Sequence, residues 1–230
     1  MQITYEDFSL FPIKEIETDE TKAKRILNGI KKKIGVVPLE YIKYSFLANI
    51  HEKEIALIHF LQEGFKQGHK FIQTVTTALG FERTVIAQGL NNPHITKIIK
   101  GVDLLTLESQ RFIQFARFND HNGTLVSIIE PENIVLPLLA NHFAERYPNE
   151  QFLIYDKTHS LALIYADYKI SIQPIEHYEL PPATEQEKQF QKLWQLFYNT
   201  IEINERHNPR CRMNFMPKKY WKNMTEFMKD

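Results

Sequence analysis

Cysteine is nearly absent from this sequence. The single one, Cys211, excludes an internal disulfide framework and also the multi-cysteine set that an iron–sulfur site within the chain would ordinarily require. Net charge is absent too: 28 Lys and Arg balance 28 Asp and Glu, which excludes a generally basic nucleic-acid coat but not a local patch. No apolar run approaches about 18 residues, and the opening MQITYEDFSLF has no cationic start leading into an apolar core. Neither membrane spanning nor export is therefore expected, and a reducing cytoplasm is. The phosphate-cradling glycine loop, the HExxH zinc motif and the Gly-x-Ser-x-Gly elbow are all missing. His59, Glu63 and His69 do not share one helical face in adjacent turns, so no metal site is expected there.

What is present is an ordinary globular composition, 43% apolar and 24% charged over 230 residues, enough for one large domain or two small ones. Charge is segregated along the chain. Glu6, Asp7, Glu15, Glu17, Asp19 and Glu20 near the start face only Lys14, whereas the end is strongly basic.

Hydrophobic periodicity predicts an α+β fold, with a helical lobe over residues 1–110 and an α+β lobe over 111–230. Thr18 is a good N-cap for a helix marked by Ala23, Ile26, Leu27, Ile30 and Ile34 and stopped by Gly35. A second helix is expected after Pro38, and a third in HEKEIALIHFLQEGFKQG with Ile55, Ile58, Leu61 and Phe65 on its apolar face. Helical pattern is read again from Val75 to Leu90 and from Ile95 to Leu107. Within it, TVTTALGFERTVIAQGL has the spacing of a helix-turn-helix offering Arg83, or of two packed core helices.

The period then turns to that of strands. RFIQFARF and TLVSII flank the turn sequence DHNG; IVLPLLANHFAERY reads as a helix with Leu136, Leu139, Phe143 and Tyr147 on a stripe and Pro137 in its first turn. FLIY and LALIY form a second hairpin and YKISIQ a further strand. The sum is a mostly antiparallel sheet of about five strands with a helix crossing one face. Pro174, Pro181 and Pro182 mark a connector. Thr184 and Glu187 form a capping box for a helix running through Trp194, Phe197 and Ile201.

Three groups carry chemistry. Glu130, His142 and Arg146 are catalytic candidates, a carboxylate at a strand end with an imidazole and a guanidinium at i, i+4 on the following helix. Arg111 and Arg117 alternate with Phe112, Phe115 and Phe118, a stacking platform if the face is open and core if helices cover it. The third group is the stretch Ile203 to Met228. Arg206, Asn208, Arg210, Arg212, Lys218, Lys219 and Lys222 stand there among Phe215, Tyr220 and Trp221, in a run that Pro209 and Pro217 break into a stiff connector and a short helix. Forked guanidinium donors interleaved with rings suit phosphate and bases.

ESQRFIQFARF, IIEPENIVLPLLANHFAERYPNEQFLIYDKTHSLALIY and RHNPRCRMNFMPKKYW, in this order, resemble the bacterial family of probable DNA metabolism proteins. These are companions of a putative DNA modification or repair radical-SAM protein, and a similar domain is fused to uracil-DNA-glycosylase-like proteins. The resemblance implies DNA as a partner and a separate radical-SAM protein that holds the iron–sulfur cluster and S-adenosylmethionine, with no cofactor or metal in this chain. It carries over Arg111, Phe115, Arg117, Phe118, Glu130, Pro131, His142, Phe143, Arg146, Arg206, Asn208, Pro209, Arg210, Met216, Pro217, Tyr220 and Trp221, with no catalytic role attached to any. The chain departs from the family where Cys211 and Met213 replace longer polar residues, and it is expected to start past a Tyr-Asp-Gly-like segment that members carry. The expected function is an auxiliary nucleic-acid-binding protein in DNA repair or modification. The alternatives are a nucleic-acid-processing enzyme built on Glu130, His142 and Arg146, and a protein-interaction adaptor without nucleic acid.

Overall fold

A computed structural model describes residues 19–76, 82–86, 92–178, 183–201, 203 and 207–227. Thr18, the acidic residues before it, Pro181, Pro182 and Arg206 lie outside the described residues. The chain divides into two compact units, one of residues up to Phe46 and Ile50–Val102, the other of Leu47–Asn49 and the residues from Asp103 onward.

In the first unit, α1 (Asp19–Ile34) carries Asp19 and Glu20 at its positive end and Lys31, Lys32 and Lys33 at its negative end. Gly35, at φ 95°, ends it in the left-handed region that glycine tolerates. Next comes α2 (Val36–Leu47), in which Pro38 sits in the first turn, where no backbone donor is lost from the ladder. The helix α3 (Lys53–Gln67) buries a different stripe from the one its isoleucines suggest. Ala56, Leu57, Phe60 and Gly64 face the core, while Ile55, Ile58 and Phe65 are exposed. Both stripes have helical spacing, and packing chose the one whose small residues allow close approach. A Cβ on Gly64 would sit 3.2 Å from the Phe71 ring, which itself packs edge-on to Phe60 at 4.9 Å.

Where helices are expected between Val75 and Leu90, the described residues are strands. Ile72–Thr76 (β1) and Glu82–Ile86 (β2) pair antiparallel, Ile72 opposite Ile86, which removes the helix-turn-helix reading along with the packed-helix alternative. Runs such as TVT and RTVI are dense in β-branched residues, whose restricted χ1 favours a strand.

The long helix α4 (Pro93–Phe115) supplies residues through Val102 to the first unit and from Asp103 to the second. It continues through the first five residues of RFIQFARF, expected to be a strand. Ile95, Ile98, Val102, Leu105, Ser109 and Phe112 are all buried at three- and four-residue intervals, so burial of one continuous face overrides local strand preference. The first hairpin is accordingly short: β3 (Asn119–His121) and β4 (Thr124–Ile129) join through Asn122 and Gly123, both at positive φ as DHNG implies.

The second unit is a five-stranded sheet in the order β3-β4-β5-β6-β7, where β5 is Gln151–Asp156, β6 Leu161–Ala166 and β7 Lys169–Pro174. Only β4 and β5 are parallel; the other neighbours are antiparallel. Between that parallel pair runs the crossover helix α5 (Leu136–Arg146), whose Leu136, Leu139, Ala140 and Phe143 are buried and which packs on β6 and β7. Pro137 lies in its first turn, as the sequence requires. Phe118 packs edge-on to Phe143, Tyr147 and Phe152, so this ring is core and not a platform. Two further helices follow, α6 (Glu185–Thr200) and α7 (Pro209–Phe215), then 3-10 turns at Lys218–Asn223 and Thr225–Phe227.

Candidate nucleic-acid interface

The basic C-terminal stretch is folded and anchored. Asn208 caps α7, its Oδ1 accepting from the Cys211 N–H at 3.0 Å, with Pro209 at the first helical position where its missing donor costs nothing. Beyond Pro217 the chain turns so that Tyr220 is buried, edge-on to Phe112 at 5.2 Å and tilted on Phe115 at 5.4 Å. Burial raises the pKa of the Tyr220 phenol. Trp221 stacks on Phe227 at 4.3 Å and donates its indole N–H to the Met216 carbonyl at 2.9 Å. Both rings hold the segment in place.

Most of the cations are spent in the same way. Arg117 makes a forked contact with Glu226, 2.7 Å at its shorter arm, and Glu226 also accepts from the Trp194 indole. Burial by itself would push the Glu226 carboxyl up, but the Arg117 hydrogen bond and charge outweigh it, and the net direction is down. Arg111 donates to the Phe215 carbonyl and lies 6.0 Å from the Phe115 ring centroid. Lys219 reaches Glu132 at 2.9 Å and Glu108 at 3.5 Å; Lys222 reaches both oxygens of Glu130, at 2.7 and 2.8 Å. Arg212 lies over Trp221 and Phe227 and donates to the Tyr198 hydroxyl at 3.4 Å. Arg210 and Lys218 are held less, Lys218 only by lying 5.9 Å from the Trp221 ring centroid. Both are exposed, and neither pairs with a carboxylate among the described residues. Phe215, between them in sequence, is 70% exposed.

Glu130, His142 and Arg146 are not brought together. In the parallel register Thr124 faces Gln151 and Ile129 faces Asp156, so the crossover helix runs back from the carboxyl end of β4 to its amino end. Glu130 stands at the carboxyl end with Lys222 and, at 3.9 Å, Lys157. Arg146 stands at the far end, roughly 20 Å away for six residues at about 3.3 Å each. Between these ends, His142 packs edge-on to Phe143 at 5.1 Å. Three separated groups cannot share one reacting atom.

Two buried carboxylates did not stand out in the sequence. Glu108 on α4 accepts from the Glu132 and Asn133 backbone N–H groups at 3.1 and 2.9 Å and from the Asn133 side chain at 2.6 Å, which pins the loop between β4 and α5. Asp156, fully buried, accepts from the Thr158 and His159 N–H groups at 3.0 and 3.1 Å and from His159 Nδ1 at 2.7 Å. Burial raises its pKa, against the His159 contacts that lower it. The spacing Asp-x-x-His in a hairpin loop was the available signal for the second. For the first there was none, because its partners are 24 and 25 residues away.

The second unit also has an open cleft of about 890 Å³ between α6, the β3–β4 hairpin and the end of α5. Thr184 caps α6, accepting from the Glu187 N–H at 3.1 Å. The expected return bond of the capping box is replaced: the Glu187 carboxylate accepts from the Asp120 N–H at 3.1 Å and fixes α6 against β3. Phe190, Trp194 and Phe197 on this helix line the cleft while 57%, 42% and 49% exposed. Arg146, its guanidinium over Tyr147 at 5.6 Å, stands on the opposite wall.

Among the described residues, no group of three or more His, Cys, Asp or Glu is placed to hold a metal ion, and no helix is long and apolar enough to cross a membrane. A family model described as a domain of unknown function (DUF4130) matches residues 51–226. No curated protein and no solved structure matches the chain.

Proposed function

We propose that this chain, which belongs to the DUF4130 family of unknown function, is an auxiliary nucleic-acid-binding protein of DNA repair or modification. Its role in this reading is to present DNA to a separate radical-SAM enzyme that holds the iron–sulfur cluster and S-adenosylmethionine. The observation that carries it is the division of labour within the basic stretch. Arg117, Arg212, Lys219, Lys222, Tyr220 and Trp221 hold the segment together and against α4, α6 and the residues after β4, while Arg210 and Lys218 are exposed and make no ion pair among the described residues, Lys218 lying only over the edge of the segment at 5.9 Å from the Trp221 ring centroid. A cation held on a rigid turn loses less conformational entropy on meeting a phosphate than one on a flexible tail. Arg111 and Arg117, being engaged within the fold, are scaffold in this reading, and the DNA contacts fall to Arg210 and Lys218.

Fluorescence anisotropy with a labelled 20-mer duplex at several salt concentrations tests this. Arg210→Ala combined with Lys218→Ala should weaken binding at low salt and reduce the slope of log K against log salt by about 2, close to 0.9 for each phosphate no longer neutralised. An unchanged affinity and slope would refute the assignment.

A further inference from the structure

The cleft on α6 has a chemistry that the basic stretch lacks. Its wall carries three aromatic rings that are about half exposed, with Trp194 and Phe197 tilted against each other at 5.7 Å. Its floor is polar. Gln191 donates through Nε2 to Asn119 Oδ1 at 3.2 Å and to Glu187 at 2.9 Å. This leaves Gln191 Oε1 as an acceptor and Asn119 Nδ2 as a donor, neither with a partner among the described residues. An adjacent donor and acceptor match the hydrogen-bonding edge of any nucleobase, since each base presents such a pair on its Watson–Crick side. The negative groups nearby are already engaged: Glu187 as above, and Asp120 as acceptor of the Gly123 N–H at 2.8 Å. Across the cleft, Arg146 supplies a forked donor for a phosphate or sugar.

From this we infer that the cleft takes an unpaired nucleotide, its base stacked on the α6 rings and its edge on the Asn119–Gln191 amides. A base inside a duplex already uses both faces and that edge, so only single-stranded or flipped-out nucleotides fit. A docked helix would be served by the rings but already pairs its main-chain donors and acceptors internally and leaves the amide pair unused, whereas a nucleotide brings a base edge for the amides and a phosphate for Arg146, which is why a nucleotide is favoured. The inference rests on the nucleic-acid reading above and adds a second surface, selective for strand state.

The test measures binding of the whole chain to a labelled 12-mer single strand and to a blunt duplex of the same sequence, by anisotropy at low salt. Phe190→Ala should weaken single-strand binding on the order of tenfold and leave duplex binding unchanged, while Phe190→Trp should retain it. Trp194→Ala should act likewise, but it also removes the hydrogen bond to Glu226, so Phe190 is the cleaner probe. Loss on both ligands alike, or on neither, overturns the inference. Loss of self-association in Phe190→Ala by light scattering, with single-strand binding intact, would make the face a protein interface and overturn it too. If Arg210→Ala with Lys218→Ala has no effect while Phe190→Ala does, the cleft stands and the basic-turn assignment falls; binding of neither ligand by the unaltered chain sinks both.

Discussion

Replacing Arg117 with alanine should undo the attachment of the C-terminal turns. The Glu226 side chain is 2% exposed and that of Arg117 26%, so the pair lies largely out of water. Across 2.7 Å, an effective dielectric of about 20 gives an attraction on the order of 6 kcal/mol before desolvation is subtracted. Removing one partner of such a pair leaves a buried charge, at a cost of about 3–5 kcal/mol, a large part of a typical domain's stability. The loss should depend on pH with a defined sign. Glu226 has a depressed pKa in the folded chain, so its contribution is present above its ordinary value of 4.5 and is lost as pH falls through the lower folded value. Without Arg117 the burial effect, the largest of the causes, is opposed only by a backbone N–H and the Trp194 indole; the carboxyl moves upward, and the variant should lose stability as pH rises. Urea unfolding of both proteins at pH 4 and pH 7 measures this. The gap should be wide at pH 7 and narrow at pH 4, and Glu226→Gln in the Arg117→Ala background should recover part of it. A loss below about 1 kcal/mol, or one independent of pH, would refute the reasoning.

Two further changes probe the fold. In α3, Phe60→Ala should cost about 3–5 kcal/mol of urea-unfolding stability while Ile58→Ala stays within about 0.5 kcal/mol, because Phe60 is fully buried and Ile58 is 55% exposed; equal costs would mean that the isoleucine stripe is the buried one. At Asp156, alanine should cost about 2 kcal/mol by stranding the Thr158 and His159 N–H groups, whereas asparagine keeps an acceptor and costs less. The raised pKa of Asp156 means that its stabilisation is present below 3.8 and is lost as pH rises through the higher folded value, so Asp156→Asn should lose less stability than the parent between pH 4 and pH 7.

Local chemistry was enough for every element whose own residues settle its state. Charges and Gly35 bounded α1, Asn122 and Gly123 set the hairpin, Pro137 fixed the start of α5, and Thr184 fixed the start of α6. Periodicity likewise supplied the α+β class and four of the five strands of the sheet, β4 to β7. Where two readings competed, only packing chose, between two stripes of one period on α3 and between strand and helix at Arg111–Phe115. The site was legible as residue types and illegible as roles. Six of the residues offered for nucleic acid, Arg111, Arg117, Arg212, Lys219, Tyr220 and Trp221, meet partners or rings that only the tertiary fold supplies, such as Glu226, 109 residues from Arg117. A sequence determines which side chains can donate, stack or ionise; whether each does so with its own chain or with a ligand depends on what the fold brings within about 3 Å of it. Here that distance bound most of the basic stretch to α4, α6 and the residues after β4, and left Arg210, Lys218 and the α6 rings exposed.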